Sequence, residues 1–129
     1  MEYITNLKEF YGHDFYVDGR VLIPRPETEI LVDEVIGIVQ ENYSDGVRIL
    51  DLGTGSGNIA LSLAKRLKGA DIVACDVSEG ALEVTRMNAE ALGVDESTKI
   101  VQSDLLNEFA GQSFDIIVAN LPYIGLDKY

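Results

Sequence analysis

A short apolar run that closes on Asp51-Leu52-Gly53-Thr54-Gly55-Ser56-Gly57 and passes directly into an apolar-periodic segment constrains this chain more than any other feature. Residues without side chains at that junction let the backbone turn sharply and let a ligand approach a helix N-terminus closely. Around it, residues 47–52, 70–75, 99–102 and 114–119 read as strands, and 58–67 and 79–92 as helices. Ser78 is placed to cap the later helix and Gly93 to stop it. Short apolar runs alternating with helices predict mostly parallel strands joined by crossover connections, a Rossmann-like α/β sheet.

The N-terminal third follows another pattern, which divides the chain into an adaptor, residues 1–46, and a partial Rossmann-like domain, residues 47–129. Tyr16-Val17-Asp18-Gly19-Arg20-Val21-Leu22-Ile23 alternates around Asp18-Gly19 and predicts a β-hairpin, ended by Pro24-Arg25-Pro26. A helix is expected over residues 27–40, with Ile30, Leu31, Val35, Ile38 and Val39 on its apolar face and acids in its first turn. Residues 42–46 read as a turn. The run of Glu27, Glu29, Asp33 and Glu34 reads as a solvated helix face, with Glu27 and Thr28 close enough to the glycine junction to touch a ligand.

Composition narrows the function. With 129 residues, 47% of them hydrophobic, there is enough apolar material for a core. A formal charge of −12 opposes nonspecific contact with phosphate backbones or anionic lipid, so nucleic acid and membrane are not expected as direct partners. The single cysteine, Cys75, stands in an apolar run and reads as a small buried thiol. One histidine and one cysteine cannot build an N/S metal cluster, and the carboxylates lack calcium-loop spacing, so no metal is expected. Without a leader pattern or an apolar stretch of about eighteen residues, the expected setting is cytoplasmic.

The glycine loop alone leaves two readings open. Gly55-Ser56-Gly57-Asn58-Ile59-Ala60 satisfies the dinucleotide fingerprint G-x-G-x-x-G/A. Asp51, just ahead of it, suits a cationic amino-acid moiety and should repel a pyrophosphate, and the tight G-x-G-x-G spacing resembles the first motif of S-adenosylmethionine methyltransferases. Asp76 at the end of the next strand can accept hydrogen bonds from both ribose hydroxyls of an adenosine, and Asp104 with Leu105 can meet an adenine ring. Beyond the last apolar strand stands Asn120-Leu121-Pro122-Tyr123. An Asn side chain, aligned carbonyls and an aromatic ring can grip a planar amide or amino group.

With those residues placed, the sequence resembles the HemK/PrmC family, the N5-glutamine methyltransferases of peptide-chain release factors. The resemblance is carried by Phe10-Tyr11-Gly12, Val21-Leu22-Ile23-Pro24-Arg25-Pro26-Glu27-Thr28-Glu29, the glycine loop, Ala81-Leu82 with Arg86-Met87-Asn88-Ala89, and the Asn-x-Pro-Tyr element. It implies a seven-stranded class I methyltransferase fold, S-adenosyl-L-methionine as cofactor and a release factor, at its Gly-Gly-Gln segment, as protein substrate. Joined to the reading of the residues, it gives a cofactor set of Asp51, Gly53, Thr54, Gly55, Ser56, Gly57, Asp76, Asp104, Leu105 and Asn120. The acceptor glutamine falls to Asn120, Leu121, Pro122 and Tyr123. Leu121 stands where the family usually has proline; it keeps the carbonyl but loses the fixed φ. Four strands of the seven are accounted for, and the helical N-terminal domain common in the family has no counterpart, so the expectation is a truncated chain. Its last strand would then offer an open edge for self-association. The rival readings are a methyltransferase acting on the adenine exocyclic amine of nucleic acid, an NAD-binding oxidoreductase domain, and an inactive binding fragment.

Overall fold

The computed structural model describes residues 6–43, 46–103 and 113–119. It opens with an antiparallel hairpin of β1 (Leu7–Phe10) and β2 (His13–Tyr16). Tyr11 and Gly12 form its two-residue turn, with φ of 54° and 83°. Two left-handed residues in succession match the twist of the flanking strands, which is why so short a connection closes here. The hairpin expected around Asp18-Gly19 is therefore displaced. Asp18 instead closes a tight turn, its carboxylate accepting from Arg20 N at 2.9 Å and its carbonyl from Val21 N at 3.1 Å. A side chain that satisfies its own backbone two residues on competes with strand pairing.

A 3-10 turn at Pro26–Thr28 leads into α1 (Glu29–Asn42), starting later than the helix expected from residue 27. The buried face of α1 is Val32, Val35 and Val39, whereas Ile30 is 61% and Ile38 46% exposed. The apolar stripe was thus read correctly in period but rotated, because packing chose the valines over the flanking isoleucines.

The remaining elements are β3 (Arg48–Leu52), α2 (Asn58–Arg66), β4 (Asp71–Asp76), α3 (Glu79–Leu92), β5 (Thr98–Gln102) and β6 (Ile116–Ala119). All four strands pair in parallel in the order β5-β4-β3-β6. The order reverses beside β3, and the crevice at the carboxyl ends of such strands is where open α/β sheets take their ligands. Ser78 Oγ accepts from Ala81 N at 3.1 Å, and Gly93 ends α3 with φ 75°, as the cap and stop signals required.

Alternation along the strands sends their side chains to two faces. Ile49, Ile72, Ala74 and Val118 join one apolar cluster with residues of α1, α2 and α3 and with Phe10 and Phe15 of the hairpin. Leu50, Leu52, Val73 and Cys75 form a second cluster with Val101 and Phe114 on the opposite face. The first cluster continues across residue 46, so hairpin, first helix and sheet share one core. The hairpin tip is tied down as well: Tyr11 N donates to Glu29 Oε2 at 2.7 Å, Tyr11 OH donates to Asp33, and the Arg66 guanidinium lies 4.6 Å from the Tyr11 ring centroid. Two acids of the run expected to be merely solvated thus hold the hairpin. No helix among the described residues is long and apolar enough to cross a membrane.

Phe15 is 0% exposed and meets Phe10 edge-on at 6.1 Å between centroids. Phe15→Ala is expected to lower stability by about 3–5 kcal/mol in urea unfolding while leaving one cooperative transition. A loss below about 1 kcal/mol would show the hairpin to be peripheral to the core.

Candidate functional site

The carboxyl ends of β3 and β4 open into a hollow of about 1230 Å³. That exceeds the roughly 300–1,000 Å³ of ordinary small-molecule sites. Its floor is Leu52, Gly53, Thr54, Gly55 and Ser56; one side carries Cys75, Asp76, Val77 and Ser78; the other is the segment from Arg20 to Thr28. The Val21-to-Glu29 block singled out in the sequence, all but Glu29, therefore walls the same hollow as the glycine loop.

Three N–H groups of the loop are donated within the protein. Thr54 N donates to Cys75 O at 2.9 Å, Gly55 N to Asp76 Oδ2 at 3.0 Å, and Gly57 N to Thr54 O at 2.8 Å. Gly57, at φ 85°, caps α2 without a side chain. An added Cβ there would stand 2.9 Å from Leu61 Cδ1 and 3.0 Å from Thr85 Cγ2, so both conformation and space demand glycine. At Gly55 an added Cβ would meet nothing within 4 Å, so the backbone there fronts open space into which a ligand can come close.

Asp76 accepts at both oxygens, Oδ2 from Gly55 N and Oδ1 from Ser78 N, each at 3.0 Å. Each carboxylate oxygen has two lone pairs, so one remains on each for a further donor. Cys75, 1% exposed, borders the hollow beneath it, and burial pushes its thiol up to about 11, which leaves it protonated and unreactive near neutral pH.

Asp51 differs from its expected role. It is 1% exposed, points to the helix side of the sheet and does not border the hollow; its carboxylate accepts from Thr54 Oγ1 at 2.8 Å. Burial raises its pKa from the ordinary 3.8 to about 7, opposed by the Thr54 hydrogen bond and one from the Ala60 backbone. Its carboxyl braces the loop from beneath, and the repulsion of a pyrophosphate expected of it finds no support in this placement.

Of the residues singled out in the sequence, Gly53, Thr54, Gly55, Ser56 and Asp76 border one hollow, and Gly57 stands directly behind them. Asp104, Leu105, Asn120, Leu121, Pro122 and Tyr123 lie outside the described residues. Ala119, the last described residue, pairs with Leu52, one residue short of the glycine loop. The sequence reading gave no role at the site to Arg20, Thr85 or Asn88. Arg20 borders the hollow and pairs with Asp18 at 2.7 Å and with Glu83 of α3 at 2.8 Å, so it fastens the wall segment to α3. Thr85 and Asn88 were visible in principle as polar residues on an otherwise apolar helix face.

A family model described as the methyltransferase small domain matches residues 28–126. The chain belongs to that family. It is 47% identical over 131 residues to a release factor glutamine methyltransferase of Chlorobaculum tepidum, covering 96% of this chain and 45% of that one. It is 42% identical over 131 residues to a release factor glutamine methyltransferase of Clostridium acetobutylicum, covering 99% of this chain and 45% of that one. The chain thus spans less than half the length of these relatives. A SAM-dependent methyltransferase of Thiobacillus denitrificans, solved in complex with S-adenosyl-L-homocysteine, superposes with a TM-score of 0.59 at 26% identity, over 78% of this chain and 39% of that one. The small domain therefore has the Rossmann-like sheet of class I methyltransferases, the fold that the family resemblance implied.

The buried carboxyl of Asp51 makes a pH prediction. Its folded pKa, about 7, is above its ordinary 3.8, so the native state retains a proton that the unfolded chain has released. The stability this confers is complete below the lower value and declines as pH rises toward the higher one, by up to about 1.4 kcal/mol per pH unit. Asp51→Asn should flatten the stability profile between pH 4 and 7 in urea unfolding series. Parallel profiles for the two proteins would contradict the assignment.

Proposed function

We propose that the hollow binds S-adenosyl-L-methionine and that the chain is the methyl-donor half of a protein glutamine N5-methyltransferase whose substrate is a peptide-chain release factor. One observation carries the choice of ligand. The N–H groups of Thr54, Gly55 and Gly57 are donated within the protein, while Asp76 keeps acceptor capacity at the mouth of the loop. A pyrophosphate needs N–H donors from such a loop; a nucleoside needs acceptors for its ribose hydroxyls, and a ligand with positive charge gains from the Asp76 carboxylate. The residues present fit this group: Gly55 leaves room for close approach, Leu52 and Val77 offer apolar surface to a base, and Asp76 takes the ribose. The similarity to release factor glutamine methyltransferases supports the acceptor.

When bound, the cofactor supplies an electrophilic methyl group on a sulfonium. The chain's own part is positioning, because a carboxamide nitrogen is a poor nucleophile whose lone pair is delocalised. In this reading the Asn120 side-chain oxygen and the Leu121 carbonyl each accept one amide hydrogen and raise electron density on the nitrogen. Tyr123 stacks on the flat carboxamide and Pro122 stiffens the clamp. β6 supports that role, since Asn120 follows Ala119 by one peptide bond and Ala119 pairs beside the loop. The proton departs to solvent after transfer, so no strong general base is required.

In calorimetry, S-adenosylhomocysteine should bind this chain and NAD should not compete with it. Asp76→Ala should weaken that binding at least tenfold, the cost of about 1.4 kcal/mol of lost hydrogen bonding. Tight NAD binding would favour the oxidoreductase reading instead. In methylation assays a Gly-Gly-Gln-containing release factor should accept label and adenine-containing nucleic acid should not. Asn120→Ala in the active enzyme should lower kcat at least a hundredfold with cofactor affinity nearly unchanged, and equal losses in both would contradict the division of labour. The outer edge of β6 has no partner strand among the described residues, and Ile117 on it is 49% exposed. The isolated chain should therefore self-associate in sedimentation, and a concentration-independent monomer would count against pairing at that edge.

A further inference from the structure

Two polar side chains stand on the buried face of α3 among Leu82, Val84 and Ala89: Thr85, 0% exposed, and Asn88, 1% exposed. Burying a hydroxyl and a carboxamide there costs free energy unless their polar atoms find partners. Both do, and both find the same element. Thr85 Oγ1 donates to Gly55 O at 2.8 Å, the nearer of two carbonyls beside it, Ala81 O lying at 3.2 Å, and Asn88 Nδ2 donates to Ser56 O at 2.9 Å. The carbonyls of two successive loop residues are thus fixed from the rear by two residues one helical turn apart.

Asn88 does more. Its Nδ2 also donates to Tyr16 O at 3.0 Å, and its Oδ1 accepts from Tyr16 N at 2.7 Å. That pair of bonds treats the last residue of β2 as a neighbouring strand would, so one side chain links hairpin, α3 and glycine loop. Asparagine is suited to this because its two donors and one carbonyl oxygen match the two carbonyls and one N–H on offer. Aspartate would lose both donors.

We infer that Thr85 and Asn88 are positioning residues of the ligand site, and that through Asn88 the N-terminal hairpin braces the glycine loop from behind. Neither side chain borders the hollow, so each acts on a ligand only through the loop backbone. The remote hairpin thereby becomes part of the binding apparatus. This deepens the methyl-donor reading of the same site and rests on it for the choice of probe.

The test is calorimetric titration of the chain with S-adenosylhomocysteine, with melting temperature recorded for every variant. Thr85→Val replaces the hydroxyl with a methyl of similar size, and Thr85→Ser restores the hydroxyl. Thr85→Val and Asn88→Ala should each bind the probe about five- to tenfold more weakly, as the loss of one loop hydrogen bond apiece implies, and Thr85→Ser should recover most of the affinity. Val32→Ala, in a fully buried position on α1, is the control for instability alone. It should lower the melting temperature and leave affinity within twofold. If Asn88→Ala fails to fold, the Thr85 pair still decides. Wild-type affinity in folded Thr85→Val, or losses in Val32→Ala as large as in the two loop variants, overturns the inference. Absence of binding by the wild-type chain overturns the methyl-donor reading itself.

Discussion

The hydrogen bond from Gly55 N to the Asp76 carboxylate, 3.0 Å long, joins the two strand ends on which the site is built. Parallel pairing of β3 with β4 sets Leu52 opposite Cys75, and the next residues of each chain, the glycine loop and Asp76, then meet without further adjustment. The loop's tight curvature follows, because the N–H groups of Thr54, Gly55 and Gly57 turn inward to Cys75, Asp76 and Thr54. So does its chemistry. A loop that spends the N–H groups of Thr54, Gly55 and Gly57 within the protein and sets the Asp76 carboxylate at its mouth suits a ligand with hydroxyls and positive charge better than a phosphate.

The supports of that bond reach further than the sheet. Asp51 and Thr54 hold the loop from beneath, Thr85 and Asn88 hold two of its carbonyls from behind, and Asn88 passes the connection to Tyr16 of the hairpin. In front, Arg20 anchors the wall segment through Asp18 and through Glu83 of α3, with its aliphatic stem 3.2 Å from where a Gly80 Cβ would lie. Helix α3 therefore carries both the back of the loop and an anchor of the facing wall. The N-terminal segment and the sheet, different in sequence pattern, meet on one helix and share one apolar cluster.

The sheet was legible because its signals are local. Ser78 and Gly93 mark the ends of α3 by cap chemistry, and each strand stands as an apolar run beside turn residues. The hairpin was not, since Asp18-Gly19 carries as strong a turn signal as Tyr11-Gly12, and only the burial of Phe10 and Phe15 selects the latter. The hollow was legible at Gly53, Gly55 and Asp76 only as a convergence of strand ends, which the loop pattern implies and the structure shows on one rim. The placement of Asp51 was not legible from its charge, because strand alternation turns it to the helix side, where it is buried against Thr54. Asn88 entered the sequence reading only as part of the family's pattern; its role was not legible because its three partners are backbone groups of residues 16 and 56, which no sequence pattern reveals.

The central claim is that the ends of β3 and β4, with the facing segment of residues 20–28, form a seat for a sulfonium nucleoside. A crystal structure of the chain with S-adenosylhomocysteine tests it most directly. The account predicts the ribose hydroxyls on the two carboxylate oxygens of Asp76 and the amino-acid portion against Gly53 and Gly55, with the bond from Gly55 N to Asp76 intact. A nucleoside seated away from Asp76, or a loop that surrenders its N–H groups to the ligand, would contradict it.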